Sequence, residues 1–378
     1  MNYWIIYGPG FSTVLKQKSI IMKSRITITT GGTAGHIYPM LGLYEHLIQK
    51  GYVVNFITDH RGKKYFTPSI LDNIKILKIN SPFNLKGLSK ILSFFYLFYA
   101  CIYSLILLIV NRPNLVIGSG GYASFPILTA ASLLRINIII YETNIILGKT
   151  NKFFYNSCKK LLVGCDDLDF FPKKFHSKAA YVGQLVRSTF LANFERKNLK
   201  DRLVILVIGG SQSSEFFGTN LAKAFSDIDK NIFPLQIYHQ CKFEKFNEIE
   251  NAYGDFKNFK LFEFDSNIRD LMQKSNLAFT RSGSSTLSEM VAVNLPFIAV
   301  PLPSSLDNHQ FYNAKYYEKK GCCWVLEQNF FNKDSLKKTI LEIIKNNGEQ
   351  LDIKIRSMKL INTTNAIKNF DSEINKYL

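Results

Sequence analysis

The chain has 378 residues, of which 47% are hydrophobic and 20% are charged, a balance typical of globular proteins and unlike that of disordered chains. It is too long for one ordinary hydrophobic core, so we predict two domains of about 150 to 200 residues each. The formal net charge of +18, from 47 basic and 29 acidic side chains, indicates an anionic partner: nucleic acid, an anionic membrane surface or a phosphorylated substrate. Because lysines are spread over the whole chain, compositional drift is the alternative explanation for part of this excess.

The cysteines and the N-terminus bear on the cellular compartment. The six cysteines show neither CxxC spacing nor histidines at zinc-ligand spacing, which predicts reduced packing thiols in a cytosolic protein. Residues 1–21 lack a charged n-region and a clear cleavage site, so they make a poor signal peptide. We expect Met22 to be the natural start, and an intact mass of the native protein that includes Met1 would contradict this.

The first predicted unit is a strand over residues 25–30, a glycine-rich turn and a helix over residues 38–50. Gly31, Gly32 and Gly35 lack a Cβ, so the turn can bring backbone N–H groups and the positive end of the helix close to an anion. An ordinary βα turn is the competing interpretation.

His36 stands where this first helix begins. An imidazole at the edge of a phosphate-binding loop can titrate near neutral pH and act as a general base. The alternative is a solvent-facing histidine at a helix start.

Further strands alternate with helices along both halves of the chain, which predicts parallel, doubly wound sheets. The second half begins like the first, with a strand, the loop that contains Ser211, and a helix near residues 216–225. Strands are predicted at 53–57, 74–79, 115–117, 136–141 and 161–163, and then at 203–208, 260–264, 278–280 and 295–301. Helical residues from about 335 to 378 close the chain.

The most apolar stretch, residues 88–110, is long enough to span a bilayer. A spanning helix would place the strands before and after it on opposite sides of the membrane. We therefore predict a helix that packs on the sheet and dips an apolar face into an anionic membrane surface beside Lys86, Lys90 and Arg112.

Polar groups follow the predicted strands of the first half. A second glycine turn at residues 118–124 forms, with the first, an anion-binding edge at the carboxyl end of the sheet, although an ordinary βα turn competes. Glu142, Thr143 and Asn144 point into the same crevice. Arg187 can reach an anion between the domains, and a surface arginine is the alternative.

Asp166, Asp167 and Asp169 contain a DxD triplet, which holds a divalent metal in some sugar-nucleotide enzymes. No other ligand cluster accompanies it. We therefore predict a solvated loop.

In the second half, residues 281–289 place the hydroxyls of residues 284–286 at a helix start, an arrangement suited to a diphosphate. Glu289, one turn further, can accept both hydroxyls of a ribose. A capping box is the alternative for these serines and this glutamate. The amide and imidazole groups of residues 307–314 suit hydrogen bonding to sugar hydroxyls.

The order of these motifs resembles the bacterial peptidoglycan N-acetylglucosaminyltransferase family, known as MurG. The resemblance covers roughly residues 24–340 and is carried by GGTAGH, GSGGYASFP, ETN followed by TNK, GQLVR, GGSQ, RSGSSTLSE and DNHQFYNA. It implies an α/β fold of two Rossmann-like domains that face each other across a cleft, the GT-B glycosyltransferase architecture, with a C-terminal helix that returns to the first domain.

The resemblance also implies domain limits and site residues. Residues 1–23 lie outside it, 24–186 form the acceptor and membrane-binding domain, 187–361 form the donor domain, and 362–378 form the returning helix. The implied catalytic base is His36. The implied donor-binding residues are Thr33, Ala34, Gly35, Asn144, Arg187, Ser211, Phe264, Asp265, Ser284, Ser285, Thr286, Glu289, His309 and Gln310. The implied acceptor-binding residues are Gly31, Gly32, Gly120, Gly121 and Tyr122.

The activity implied by the resemblance is that of a hexosyltransferase without a cofactor or metal. N-acetylglucosamine passes with inversion from UDP-N-acetylglucosamine to the C4 hydroxyl of the N-acetylmuramoyl sugar of lipid I, giving lipid II for peptidoglycan synthesis. The implied location is peripheral, at the cytoplasmic face of the bacterial inner membrane, with an anionic membrane surface and other cell-wall synthesis proteins as partners. The alternatives are a glycosyltransferase of this architecture acting on another membrane lipid, and a non-catalytic nucleotide-sugar-binding protein. Specific nucleic-acid binding is not expected, because no recognisable module is present.

Overall fold

A computed structural model describes residues 24–79, 87–191, 199, 201–209, 215–263, 265, 267–361 and 365–378. The expectation about Met22 lies outside these residues. Two parallel sheets organise the chain, one in each half.

The first sheet has seven strands in the order β3-β2-β1-β4-β5-β6-β7. Their central residues are mostly isoleucine, leucine and valine and are fully buried, as expected for parallel strands covered on both faces. The strands are β1 (Arg25–Thr29), β2 (Val53–Asp59), β3 (Ile74–Leu77), β4 (Leu115–Gly118), β5 (Asn137–Glu142), β6 (Lys160–Val163) and β7 (Ala179–Tyr181).

The second sheet has six strands in the order β10-β9-β8-β11-β12-β13, again parallel throughout. Its carboxyl edge carries the loop between β11 and the following helix. The strands are β8 (Leu203–Ile208), β9 (Leu235–Gln240), β10 (Phe259–Phe262), β11 (Leu277–Thr280), β12 (Phe297–Ala299) and β13 (Cys323–Val325).

Helices cover both faces of both sheets, and four clusters of buried apolar side chains fill the layers between them. In the first half the helices are α1 (Ala34–Gln49), α2 (Pro68–Leu71), α3 (Leu88–Asn111), α4 (Phe125–Leu133) and α5 (Lys149–Phe154). The remainder are α6 (Thr219–Asn231), α7 (Phe246–Tyr253), α8 (Ile268–Lys274), α9 (Ser284–Ala292), α10 (His309–Lys319), α11 (Lys333–Ile344), α12 (Glu349–Leu360) and α13 (Ala366–Ile374).

The sequence patterns predict most of the strands and helices, but the structure begins or ends some of the helices at other residues. The helix predicted near residues 216–225 begins only at Thr219, because a 3-10 turn, Glu215–Phe217, precedes it. The closing helical stretch is three separate helices. Asn346, Asn347 and Gly348 all have positive φ, and this left-handed backbone separates α11 from α12.

Helix α13 packs on the first sheet, as predicted. The Phe370 ring meets the Tyr141 ring edge-on with centroids 5.5 Å apart, and both side chains are fully buried. The Asp371 carboxylate, which is only 11% exposed, accepts hydrogen bonds from His46 (2.8 Å) and Lys50 (2.5 Å) on α1. The last helix of the chain therefore belongs to the core of the N-terminal half.

We expect Asp371→Ala to lower the free energy of unfolding by about 1 to 3 kcal/mol, because it removes a carboxylate hydrogen-bonded to two partners. Solvent screens the pair with Lys50, because that side chain is 42% exposed, and this limits the loss of stability. Denaturant unfolding monitored by circular dichroism measures the change. Lys376→Ala, which breaks an exposed pair with Glu373 at the end of the same helix, should change stability by less than about 0.5 kcal/mol. Equal effects of the two variants would contradict this account.

Helix α3 packs on α4 through one side and exposes an apolar side. Ala100 and Leu108 are buried, whereas Phe95, Phe98 and Tyr99 are 66–67% exposed. Of the helices that the structure describes, α3 is the one with the length and composition to cross a membrane, over 91–111. Strands β3 and β4, which flank it in the chain, lie in the same sheet, in agreement with the argument against spanning.

Candidate functional site

The two glycine turns of the first sheet pack directly against each other. Gly31 N–H donates to the Gly120 carbonyl at 2.9 Å, and a Cβ at Gly31 would lie 2.8 Å from the Gly121 Cα. Gly120 and Gly121 have φ values of 85° and 75°, a region that favours glycine. Gly31 and Gly121 therefore need to be glycines because a Cβ would separate the two turns. The sequence analysis had instead explained the absence of a Cβ at Gly31 by the approach of the backbone to an anion.

Gly32 and Gly35 differ in their surroundings. A Cβ at Gly32 would lie 1.9 Å from a carboxylate oxygen of Asp59, so this position too is packed against protein. A Cβ at Gly35 would meet no described atom within 4 Å. Gly35 therefore faces open space, as a backbone that approaches a ligand must.

His36 lies in the first turn of α1, next to Gly35. Burial lowers its pKa from the ordinary value of 6.5, and the charges of His309 and Arg61 act in the same direction. The Glu142 carboxylate and the Ser119 backbone oppose this shift. Its Nδ1 is buried without a hydrogen-bond partner among the described residues. A neutral imidazole at neutral pH can accept a proton, which is the requirement for a general base.

Glu142, at the end of β5, organises the polar groups around His36. Its carboxylate is 1% exposed and accepts four hydrogen bonds. Asn144 donates its backbone and side-chain N–H groups to Oε1, both at 3.0 Å, while Gly148 N–H (2.9 Å) and Asn151 (2.8 Å) donate to Oε2. We singled out Glu142 as a polar group in the crevice but not as a site residue. A carboxylate at the end of a strand predicted to be buried is the feature of the sequence that could have identified Glu142 as a site residue.

Arg187, at the junction of the two implied domains, forms a bidentate ion pair with Glu289 of α9. Arg187 Nε donates to Oε1 at 2.7 Å and a terminal nitrogen donates to Oε2 at 2.9 Å. The guanidinium lies 4.1 Å from the ring centre of Tyr38 and 4.6 Å from that of Phe190. Burial raises the pKa of Glu289, and the Arg187 charge opposes this. The fork geometry with two short hydrogen bonds indicates that both groups are ionised.

The start of α9 carries unsatisfied polar groups. Ser282, in the preceding turn, is fully buried, and its hydroxyl has no partner among the described residues. Gly283 occupies the N-cap position and makes no side-chain cap. The capping-box alternative is therefore wrong: Ser284 donates instead to the Thr143 carbonyl, and Glu289 binds Arg187.

Side chains of α10 hold the α9 turn against the first sheet. Gln310 Oε1 accepts from Ser282 N–H (3.2 Å) and Leu302 N–H (3.1 Å). Asn313 donates to Asn144 Oδ1 (3.2 Å) and to the Ser282 carbonyl (3.1 Å), and it accepts from Ile145 N–H at 3.0 Å. These bonds bring the strand ends of both halves into one cleft. The sequence analysis included Asn313 among the amides suited to sugar hydroxyls, but it did not predict this contact between the halves.

The DxD triplet lies in a loop where Asp166 and Asp169 are exposed, as predicted, and two of these carboxylates also pair with distant side chains. Asp166 accepts from Tyr316 OH at 2.9 Å and pairs with Lys320 at 2.7 Å, while Asp167 pairs with Lys319 at 2.7 Å. These partners lie on or next to α10, about 150 residues away in the chain, so local sequence could not reveal them. In the part of the chain that the structure describes, no group of three or more His, Cys, Asp or Glu could hold a metal ion.

The remaining predicted residues occupy several positions. Thr33 is exposed just before α1, Ala34 starts that helix, and Tyr122 begins a 3-10 turn after the second glycine loop. Ser285 and Thr286 lie in the first turn of α9.

Two other predicted residues lie in the segments before α8 and at the start of α10. The Asp265 carboxylate accepts from Asn267 N–H at 2.8 Å, just before α8. His309 is half-buried at the start of α10, and its Nδ1 bonds the Leu306 carbonyl at 2.8 Å. Ser211 and Phe264 lie outside the described residues.

Two family models match this chain: the glycosyltransferase family 28 N-terminal domain over residues 26–163, and its C-terminal domain over residues 204–370. A Pelagibacter ubique protein named UDP-N-acetylglucosamine--N-acetylmuramyl-(pentapeptide) pyrophosphoryl-undecaprenol N-acetylglucosamine transferase is 33% identical over 355 residues, 93% of this chain and 98% of that protein. A Rickettsia felis protein of the same name is 35% identical over 335 residues, 85% of this chain and 91% of that protein. The crystal structure of Acinetobacter baumannii MurG matches with a TM-score of 0.73 and 24% identity, covering 93% of this chain and 99% of that one.

Proposed function

This chain belongs to the MurG family of glycosyltransferase family 28, and we propose that it transfers N-acetylglucosamine from UDP-N-acetylglucosamine to lipid I, giving lipid II. The observation that carries the proposal is the cleft itself. In this proposal the cleft lies between His36 of the first half and the start of α9 of the second, and two observations link these parts: the Asn144–Asn313 hydrogen bond and the action of the His309 charge on His36.

His36 acts as the general base in this proposal. The C4 hydroxyl oxygen of the muramoyl sugar attacks the anomeric carbon, the bond from that carbon to UDP breaks, and the hydroxyl proton passes to the imidazole. Attack on the face opposite the leaving group inverts the anomeric centre and forms a β(1→4) bond. The lowered pKa of His36 supports this role, because the ring is then unprotonated before the reaction.

Departing UDP carries negative charge, and the start of α9 is suited to stabilise it. The N–H groups of the first helical turn, the helix dipole and the Ser282 hydroxyl, which has no partner among the described residues, are all at this end of the helix. We propose a metal-independent reaction, with Ser285 and Thr286 also at the diphosphate. The carboxylates of Asp166 and Asp167 support this, because they already bind Lys319, Lys320 and Tyr316.

The other binding roles divide between the halves. Glu289 would hold the ribose hydroxyls while Arg187 fixes its carboxylate, and Gln310 and His309 would contact the transferred sugar. The touching glycine turns of the first sheet would carry the acceptor diphosphate. The proposed roles of Ser211 at the diphosphate, and of Phe264 and Asp265 at the uracil, remain predictions.

We further propose peripheral binding to the cytoplasmic face of the bacterial inner membrane through α3. Its exposed aromatic side chains would enter the interface of an anionic bilayer, where Phe and Tyr rings are favourable. The six cysteines, all free thiols, fit a reducing compartment.

Replacing Phe95, Phe98 and Tyr99 together by serine should reduce binding to anionic phospholipid vesicles at least about tenfold, because each buried ring contributes on the order of 1.5 to 3 kcal/mol. Vesicle co-sedimentation measures the loss. Phe330→Ser removes an aromatic ring that is 71% exposed on the other half, and it should leave binding unchanged. Unchanged binding by the triple variant would contradict the proposal.

The pH dependence of kcat/KM for the acceptor tests the base. Since burial lowers the pKa of His36 below 6.5, its basic form dominates at and above that pH. We expect kcat/KM to be level above pH 6.5 and to fall as the pH drops through the lowered pKa. A rate that rises as the pH is lowered would contradict His36 as the base.

A further inference from the structure

A short basic segment beside the first glycine turn has no role in the reaction described above. The 3-10 helix His60–Tyr65 follows β2 at the carboxyl edge of the sheet, with the sequence HRGKKY. Arg61, Lys63 and Lys64 on it are all exposed. These three cations and the carboxylate of the buried Asp59 give the segment a net charge of +2.

This segment is fixed to the helix that carries His36. A Cβ at Gly62 would lie 2.7 Å from Ile37 Cδ1 and 2.8 Å from Thr58 Oγ1, so the segment packs tightly on the start of α1 and on β2. A Cβ at Gly32 would lie 2.9 Å from Arg61 Cβ. The glycine turn, the base and the basic segment therefore form one closely packed unit.

Asp59 orients the Arg61 guanidinium. The Asp59 side chain is 1% exposed, and its Oδ2 accepts from Arg61 Nε at 3.0 Å and from one terminal nitrogen at 2.5 Å. Its Oδ1 accepts from the Arg61 backbone N–H at 3.0 Å. The Arg61 side chain remains 45% exposed. A buried carboxylate thus holds one edge of the guanidinium, while a planar fork of donors is left for a second anion.

We propose that Arg61, oriented by Asp59, binds an anionic group of the acceptor substrate and that Lys63 and Lys64 extend this subsite. The proposal rests on the proposed function, which supplies the acceptor. The acceptor is favoured over the donor because Arg61 lies on the first sheet beyond the glycine turn, whereas α9 and α10 of the second sheet carry the donor groups. Ile37, the neighbour of His36, also packs against the segment that carries Arg61, so Arg61 lies on the same part of the first half as the proposed base.

The acceptor offers two sources of negative charge, its diphosphate and the carboxylates of its peptide. Both present the pair of oxygens that an arginine fork binds through parallel hydrogen bonds. The subsite is therefore defined as one for a diphosphate or a carboxylate, and acceptor analogues distinguish the two.

Steady-state kinetics of the full-length Arg61→Ala variant test the proposal. We expect the KM for a lipid I analogue to rise about 10- to 100-fold, the loss typical of a charge-assisted hydrogen-bonded pair, while the KM for UDP-N-acetylglucosamine stays within about twofold. Arg61→Lys should recover only part of the loss, because an ammonium cannot form the fork. An acceptor KM within twofold of wild type, or equal increases for both substrates, would overturn the proposal.

Two further variants guard against a folding defect. The exposed pair Lys63→Ala/Lys64→Ala should raise the acceptor KM about threefold or more, whereas Lys230→Ala, which removes one exposed charge from α6, should not.

Acceptor analogues identify the anionic group that Arg61 binds. If it is a peptide carboxylate, an acceptor with amidated carboxylates has a raised KM with the wild type, and Arg61→Ala raises that KM no further. If it is the diphosphate, Arg61→Ala raises the KM by the same factor for the amidated and the unmodified acceptor. Absence of transfer by wild type would be a failure of the proposed function instead.

Discussion

His36→Ala is expected to lower kcat by about 10²- to 10⁴-fold, the usual contribution of a positioned general base. The KM for UDP-N-acetylglucosamine should change little, because the ribose and diphosphate groups are proposed to bind on α9 and α10. Turnover of a lipid I analogue, with donor binding followed separately by calorimetry, measures both quantities.

His176→Ala is the matched control for this variant. It also deletes an imidazole from the first half of the chain, but within the described residues the His176 ring bonds the carbonyls of Leu168 and Phe171 and no catalytic group. It should leave kcat within about twofold of wild type. Near-wild-type turnover by His36→Ala, with the control behaving as expected, would show that another group takes the proton.

The second large effect is expected from Glu289→Gln, which keeps the size of the side chain and removes its charge. The KM for UDP-N-acetylglucosamine should rise about 10- to 100-fold, because two charge-assisted hydrogen bonds to the ribose are weakened. Arg187 also loses its ionised partner, and an unpaired buried charge is costly. The KM for the acceptor should be much less affected.

Deoxyribose analogues of the donor separate these two causes. If Glu289 binds the ribose, a donor that lacks the 2′ or 3′ hydroxyl has a raised KM with the wild type. The same donor should raise the KM of Glu289→Gln little further, because the effects of two groups that interact are not additive. Glu318→Gln, on the exposed face of α10, is the control and should behave as wild type. Additive losses for the analogue and the Glu289 variant would contradict ribose binding by Glu289.

Local sequence predicted the features that depend on local physics. Buried β-branched runs predicted ten of the thirteen described strands and missed β7, β9 and β13, whereas the apolar run over residues 88–110 predicted α3 and glycines after strands predicted the turns. Chain position at a helix start was enough to single out His36 and residues 284–286. The order of motifs then indicated the family.

Contacts between distant segments were beyond that reasoning. The loop of Asp166 and Asp167 is exposed as predicted, but its pairing with lysines about 150 residues away could not be predicted from local sequence. The roles of Gly31 and Gly121 depend on two turns that meet only in the folded chain. Glu142 was visible as a strand-end carboxylate, but its four donors come from a loop whose path the sequence does not specify.

The most direct measurement is the transfer of labelled N-acetylglucosamine from its UDP donor to a lipid I analogue, with EDTA present and diacylglycerol as a competing acceptor. We predict labelled disaccharide lipid from the lipid I analogue alone, at a rate that EDTA does not change. Transfer to diacylglycerol would identify a different membrane lipid as the acceptor, and bound donor without transfer would indicate a non-catalytic protein. Loss of activity in EDTA would contradict the metal-independent mechanism.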